Sequence, residues 1–273
     1  MATILLHLLA ATLYGALALW LRRDASAESK TPGATSTVER GALLLAIVTH
    51  GLALHAAMFS DGPMRFGAGP AISLMVWLAI CFYWIETFYA ALRGLRSLAL
   101  PAGMLANLVS LALPGQMMLA NADSPAFRAH FIVAMLAYSL FTLAALHALL
   151  MAVAERQLHS GRISRSIAGL PPLMTMEALL FRLIGIAFVL LTLTLGSGVL
   201  FSEALFGQAA RLDHKTVFAF ISWGLFGVLL IGRRFRGWRG RVALRWTLAG
   251  FIALVLAYVG SRFVLEVLLH RAA

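Results

Sequence analysis

Residues 178–201 read ALLFRLIGIAFVLLTLTLGSGVLF, an apolar run broken by one charge, Arg182. About 20 such residues in a helix cross the roughly 30 Å hydrocarbon core of a bilayer. The run lacks the roughly ten-residue alternation of an outer-membrane barrel strand. Working outward, similar runs fall near residues 2–21, 41–59, 71–92, 97–113, 129–153, 216–232 and 243–269. The sequence therefore predicts an all-α, polytopic integral membrane protein, a bundle of about eight transmembrane helices. The run 97–113 is the weakest, because it is short, contains Pro101 and Gly103, and ends at Pro114-Gly115. It spans only where neighbours satisfy the backbone that Pro101 frees.

Composition agrees with this reading. Of 273 residues, 61% are hydrophobic and 12% charged, against about 45–50% and about 25% in a soluble domain. A soluble globular enzyme and a disordered chain are both excluded. The net charge of +11 suits either an acidic partner such as nucleic acid or basic loops on one side of a membrane, and the position of the cations decides. Arg22, Arg23, Lys30 and Arg40 follow span one, and Arg93 and Arg96 follow span three. Arg156, Arg162, Arg165 and Arg182 follow span five, and Arg233, Arg234, Arg236, Arg239, Arg241 and Arg245 follow span seven. Only Arg65, Arg128, Arg211, Lys215, Arg262 and Arg271 fall on the alternate side. The positive-inside rule then predicts both termini on the outer, periplasmic side, and the charge requires no nucleic acid. The lipid bilayer is the expected partner.

Span one has no basic residue before Leu5 and carries Arg22-Arg23 after it. This is the reverse of a signal peptide and predicts a retained helix with its N-terminus out. Residues 22–40, rich in Ser, Thr, Ala and Gly, read as a cytoplasmic linker. The chain 1–273 is expected to be one transmembrane domain, with spans one to four in 1–128 and the rest in 129–273. The single cysteine, Cys81, forms no internal disulfide and no CxxC pair.

Ionisable groups inside a membrane are functional candidates by default. His50 lies about nine residues from each end of span two, near the midplane. It reads equally as a functional imidazole or as a helix–helix hydrogen bond. His130 opens span five. His214, His55 and His7 lie toward the same outer side, with His50 deeper, and two facing imidazoles suit the axial positions of a haem iron. No spacing supports a compact zinc or di-iron site. His147 lies about 25 Å further along the helix of His130, so one metal cannot take both. Glu86 reads as a carboxylate reaching the inner interface or a basic loop, and Asn107 as a helix–helix contact. Asp213, His214 and Lys215 form the mouth of span seven, where Asp213 and His214 suit a helix cap. Glycines 103, 185, 196, 198, 224, 227 and 232 are expected to allow close packing.

From residue 171 a more specific order appears: Pro171-Pro172-Leu173, Glu177, Phe181-Arg182, Gly185 and Phe188, then Leu191 through Gly198 as LTLTLGSG. Asp213 and Lys215, Ser222-Trp223, Gly237-Trp238-Arg239-Gly240-Arg241, and Ala257 through Arg262 as AYVGSR follow. This order resembles the C-terminal half of the CcsA/ResC cytochrome c assembly family, with the nearest likeness to its YpjD-like and HemX-like bacterial inner-membrane branch. The likeness covers about residues 129–262. Spans one to four resemble the family mainly in layout, apart from the helix of His50.

The resemblance implies a multi-pass protein of the bacterial inner (plasma) membrane that handles haem in cytochrome c biogenesis. Full members use a tryptophan-rich outer segment and flanking histidines. By position, His130 matches the outer histidine that opens its helix, and His50 matches the intramembrane histidine. Asp213 and Lys215 match the acid and lysine that end the tryptophan-rich segment. This chain departs from the pattern, because residues 199–212 contain no tryptophan. No histidine falls in Tyr258 through Arg262, and Gly232-Arg233-Arg234 stand where the family has an inner histidine.

The resemblance therefore implies a haem-binding protein with His130 and His50 as axial candidates and His214, Asp213 and Lys215 as the rim. Enzymatic haem attachment by this chain alone is not expected. Other membrane or cytochrome c maturation proteins are the expected protein partners, and the first alternative is a non-catalytic membrane scaffold or regulatory partner subunit that retains the fold without haem. The last is a small-molecule or ion transporter, for which no inverted repeat of broken helices is visible.

Overall fold

A computed structural model describes residues 1–27, 36–59, 64–89, 93–113, 117–118, 122, 124–160, 170–200, 202, 214–260 and 263. Asp213, residues 203–212, Lys30, Arg162, Arg165, Arg211, Arg262, Arg271, Glu266 and His270 lie outside the described residues.

The apolar runs become helices because a lipid-embedded backbone must satisfy its hydrogen bonds within the segment. In chain order they are α1 (Ala2–Ala27), α2 (Thr37–Phe59), α3 (Ala68–Glu86), α4 (Arg96–Ala112), α5 (Pro125–Ser160), α6 (Leu173–Leu200), α7 (His214–Arg236) and α8 (Gly240–Val255). Residues Leu256–Gly260 continue α8 as a π-helical turn. Among the described residues, seven helices are long and apolar enough to cross a membrane. Helix α4 has 17 residues, about 25 Å of helix, and is the short member that the sequence had marked as weakest.

The helices pair into two closed rings. In the first, α1 packs on α2 and α4, and α3 packs on α2 and α4. In the second, α5 packs on α6 and α8, and α7 packs on α6 and α8. Helices α3 and α5 join the rings. Helix α5 has 36 residues, packs on α3, α6 and α8, and is the most buried of the seven candidate spans. Phe141 of α5 stacks on Phe226 of α7, with ring centroids 3.9 Å apart. Large apolar side chains such as Leu45, Leu52, Leu105, Val189, Leu193, Ile231 and Ile252 stand outward, as a lipid-facing surface requires.

Some glycines act as expected and some do not. A Cβ at Gly103 would sit 2.8 Å from Ile80 and 3.1 Å from Tyr14, so α4 lies against α1 and α3 only because position 103 has no side chain. The Gly232 Cα lies directly under the Trp238 indole. Among the described residues, a Cβ added at Gly185, Gly196 or Gly224 would have no neighbour within 4 Å, so no close packing is seen there. The tight position at Gly250, where a Cβ would lie 2.9 Å from Phe226, was not singled out in the sequence.

The connections also differ slightly from an all-helix picture. Arg65–Phe66 pairs antiparallel with Met117–Met118, forming strands β1 and β2. Phe66 then packs edge-on to Phe131, 5.0 Å between centroids. This places the start of α3 beside the start of α5, at the end of the bundle that carries His130.

Candidate functional site

His130 sits in the second turn of α5, half-buried. Its Nδ1 lies 2.8 Å from the Ser197 Oγ near the end of α6. The Ser197 hydroxyl donates to the Thr194 carbonyl at 3.1 Å. In the tautomer that keeps the hydroxyl proton on the Thr194 carbonyl, Nδ1–H of His130 donates to Ser197 and the ring lone pair falls on Nε2. This is the arrangement by which a neighbouring group fixes the tautomer and orientation of a ligating histidine.

His50 is fully buried. Its Nε2 lies 2.8 Å from Ser73 Oγ on α3, and its Nδ1 3.4 Å from the Tyr14 hydroxyl on α1. Both ring nitrogens are engaged, and the imidazole ties α1, α2 and α3. His7 is also buried and meets Asn107 of α4, Nδ1 to Oδ1, at 2.9 Å. The Asn107 amide donates to the Gly103 carbonyl, so the Oδ1 accepts from His7. The expected helix–helix role of Asn107 holds.

The outer histidines therefore divide between different surroundings. His7 is inside the first ring, His55 is exposed beside Phe59, and His214 and Lys215 are exposed at the start of α7. His214 shares the bundle end of His130. Among the described residues, no group of three or more His, Cys, Asp or Glu side chains is placed to hold a metal ion.

At the opposite end, toward the inner interface, Glu86 meets His147 of α5, a partner the sequence had not paired with it. Oε2 and Nε2 are 3.3 Å apart, without hydrogen-bond alignment. Sequence spacing gave no signal for this pair, because the two residues sit on different helices. At the same end, Glu177 is buried and accepts from Arg233 of α7 and from the Gly240 backbone N–H. Arg233 also donates to the Trp238 carbonyl and lies over the Phe181 ring. The Pro-Pro-Leu…Glu…Phe-Arg entry and the Gly-Trp-Arg-Gly-Arg loop thus touch. The two most distinctive strings of the sequence form one structural joint.

The fold defines a class: a polytopic membrane protein in which several buried polar groups among the described residues pair between helices. The family profile described as Cytochrome C assembly protein matches residues 42–269, and the chain belongs to that family. The match reaches well into the first ring, beyond the C-terminal half where the sequence likeness is clearest. Inner membrane protein YpjD of Escherichia coli K12 is 33% identical over 234 residues, covering 82% of this chain and 85% of YpjD. A 28.8 kDa protein of Azospirillum brasilense is 32% identical over 214 residues, covering 75% of this chain and 78% of that protein. Cytochrome c biogenesis protein CcsA of Gloeobacter violaceus is 31% identical over 92 residues, covering 34% of this chain and 27% of CcsA. No solved structure matches the chain.

Proposed function

We propose that this protein resides in the bacterial inner membrane and binds haem in cytochrome c biogenesis, through His130. The observation that carries the proposal is the His130–Ser197 contact at 2.8 Å, which directs the imidazole lone pair to Nε2. A half-buried neutral imidazole oriented by a hydroxyl suits one axial position of a haem iron. His214, at the same end, is the second candidate ligand. Lys215 beside it offers an ammonium to a haem propionate. Haem would supply a redox-active iron, while the chain's own residues bind and orient it.

His50 serves the same function from a distance, as the post that ties α1, α2 and α3. The excess of basic residues near Glu177 supports an orientation in which that end is cytoplasmic and the His130 end periplasmic. Detergent-purified protein titrated with haem tests the proposal. A Soret band that His130→Ala abolishes is expected, and a wild-type protein that takes up no haem overturns it.

One observation favours a second reading, a membrane scaffold that binds no haem. None of the six tryptophans lies in residues 199–212. Co-purification with a specific membrane complex, unchanged when His50 and His130 are replaced together, would select that reading.

A further inference from the structure

At the Glu177 end the arginines divide into two sets. Glu177 takes Arg233 directly and has Arg239 at 3.8 Å, and Glu155 takes Arg241 at 2.7 Å. Arg234, Arg236 and Arg245 are exposed, and among the described residues they have no ion-pair or hydrogen-bond partner. Phe235 stands between the first two and is 81% exposed. The surrounding hairpin takes its shape for local reasons. Gly237 and Gly240 adopt φ of 64° and 53°, a region that other residues rarely enter. Trp238 is held between the Gly232 backbone and Trp246, 5.2 Å between ring centroids.

We propose that the α7–α8 hairpin is a binding surface for an anionic phospholipid headgroup. Each of the three exposed guanidinium groups on the two arms of the hairpin offers the planar, bidentate geometry that phosphate oxygens favour. An aromatic ring left in the open at a helix end belongs at the headgroup level, where one side is apolar and the other wet. The ion pairs to Glu177 and Glu155 satisfy the remaining arginines of the hairpin, so the uncompensated charge is concentrated on three residues. The surface lies where two apolar helices leave the bilayer, so the anion nearest to it is a lipid phosphodiester. This reading does not depend on haem binding.

Native mass spectrometry of the full chain, with phosphatidylglycerol or phosphatidylcholine titrated into the detergent, tests the inference. Phosphatidylglycerol is expected to bind preferentially. The combined Arg234→Gln, Arg236→Gln and Arg245→Gln substitutions are expected to weaken it by roughly a hundredfold. Arg65→Gln, at the other end of the bundle, should leave it unchanged. If the triple variant does not purify as a folded protein, Arg236→Gln and Phe235→Ser are compared singly, each expected to reduce binding several-fold. Equal retention of the two lipids, or undiminished binding by the variants, overturns the inference. So does complete displacement by millimolar inorganic phosphate, which would mark a free-phosphate site, and so does capture of an acidic soluble protein with no lipid preference.

Discussion

Glu177 of α6 binds Arg233 of α7 and, through the same carboxylate, the backbone N–H of Gly240 at the start of α8. Three consecutive helices of the second ring are thus tied by one buried acid. Glu177→Ala leaves the partly buried Arg233 guanidinium without its counter-charge. Removing one partner of a buried ion pair destabilises by about 3–5 kcal/mol, and the partial exposure of Arg233 places this case at or below the low end. A clearly lowered thermal midpoint in detergent is expected, with Glu177→Gln intermediate. An unchanged midpoint would show that the joint contributes nothing.

Gly103→Val should separate α4 from α1. The added Cβ meets Ile80 and Tyr14 at once, and overpacking of a filled interior costs about 1–3 kcal/mol. Displacing Tyr14 also disturbs His50. Thermal unfolding of the variant beside Gly185→Val checks this, since nothing lies near position 185 and that change should be nearly silent.

Ser197→Ala separates binding from orientation at His130. The imidazole remains, but its tautomer and ring angle are no longer set. Haem affinity is expected to fall about 10–100-fold, the usual effect of losing such a supporting hydrogen bond, with the Soret band still formed at high haem. Loss of the band altogether would mean that Ser197 does more than orient. A titration followed by absorbance distinguishes the outcomes.

Ser73→Ala removes the partner of His50 Nε2 and leaves a buried imidazole nitrogen unsatisfied, at a cost of about 1–3 kcal/mol. His50→Leu removes the polar group itself and is expected to lower stability while leaving the haem titration unchanged. A lost Soret band in His50→Leu would instead make His50 a ligand.

Much of the fold was legible because hydropathy is a local property. Each apolar run declares its own helix, and the weak run 97–113 declared itself weak, becoming the 17-residue α4. The family was also legible, since the strings around Glu177 and Trp238 are specific in order and residue type. The absence of tryptophan from 199–212 needed no coordinates. Of the candidate site, the sequence supplied His130, His50, His214 and Lys215 but not their surroundings. Asp213 is outside the described residues.

Which helices pair, and therefore which polar groups meet, was decided only in three dimensions. His7 and Asn107 are 100 residues apart, His130 and Ser197 are 67 apart, and Glu177 and Arg233 are 56 apart. No periodicity within a single helix encodes such distances. In lipid, apolar faces are nearly interchangeable as packing partners, so close approach at Gly103 and Gly232 and satisfaction of a few buried polar atoms select the arrangement. The sequence alone fixed that the chain is a membrane bundle of its family. The tertiary structure decided that His130 meets Ser197 of α6 while both nitrogens of His50 meet hydroxyls of neighbouring helices.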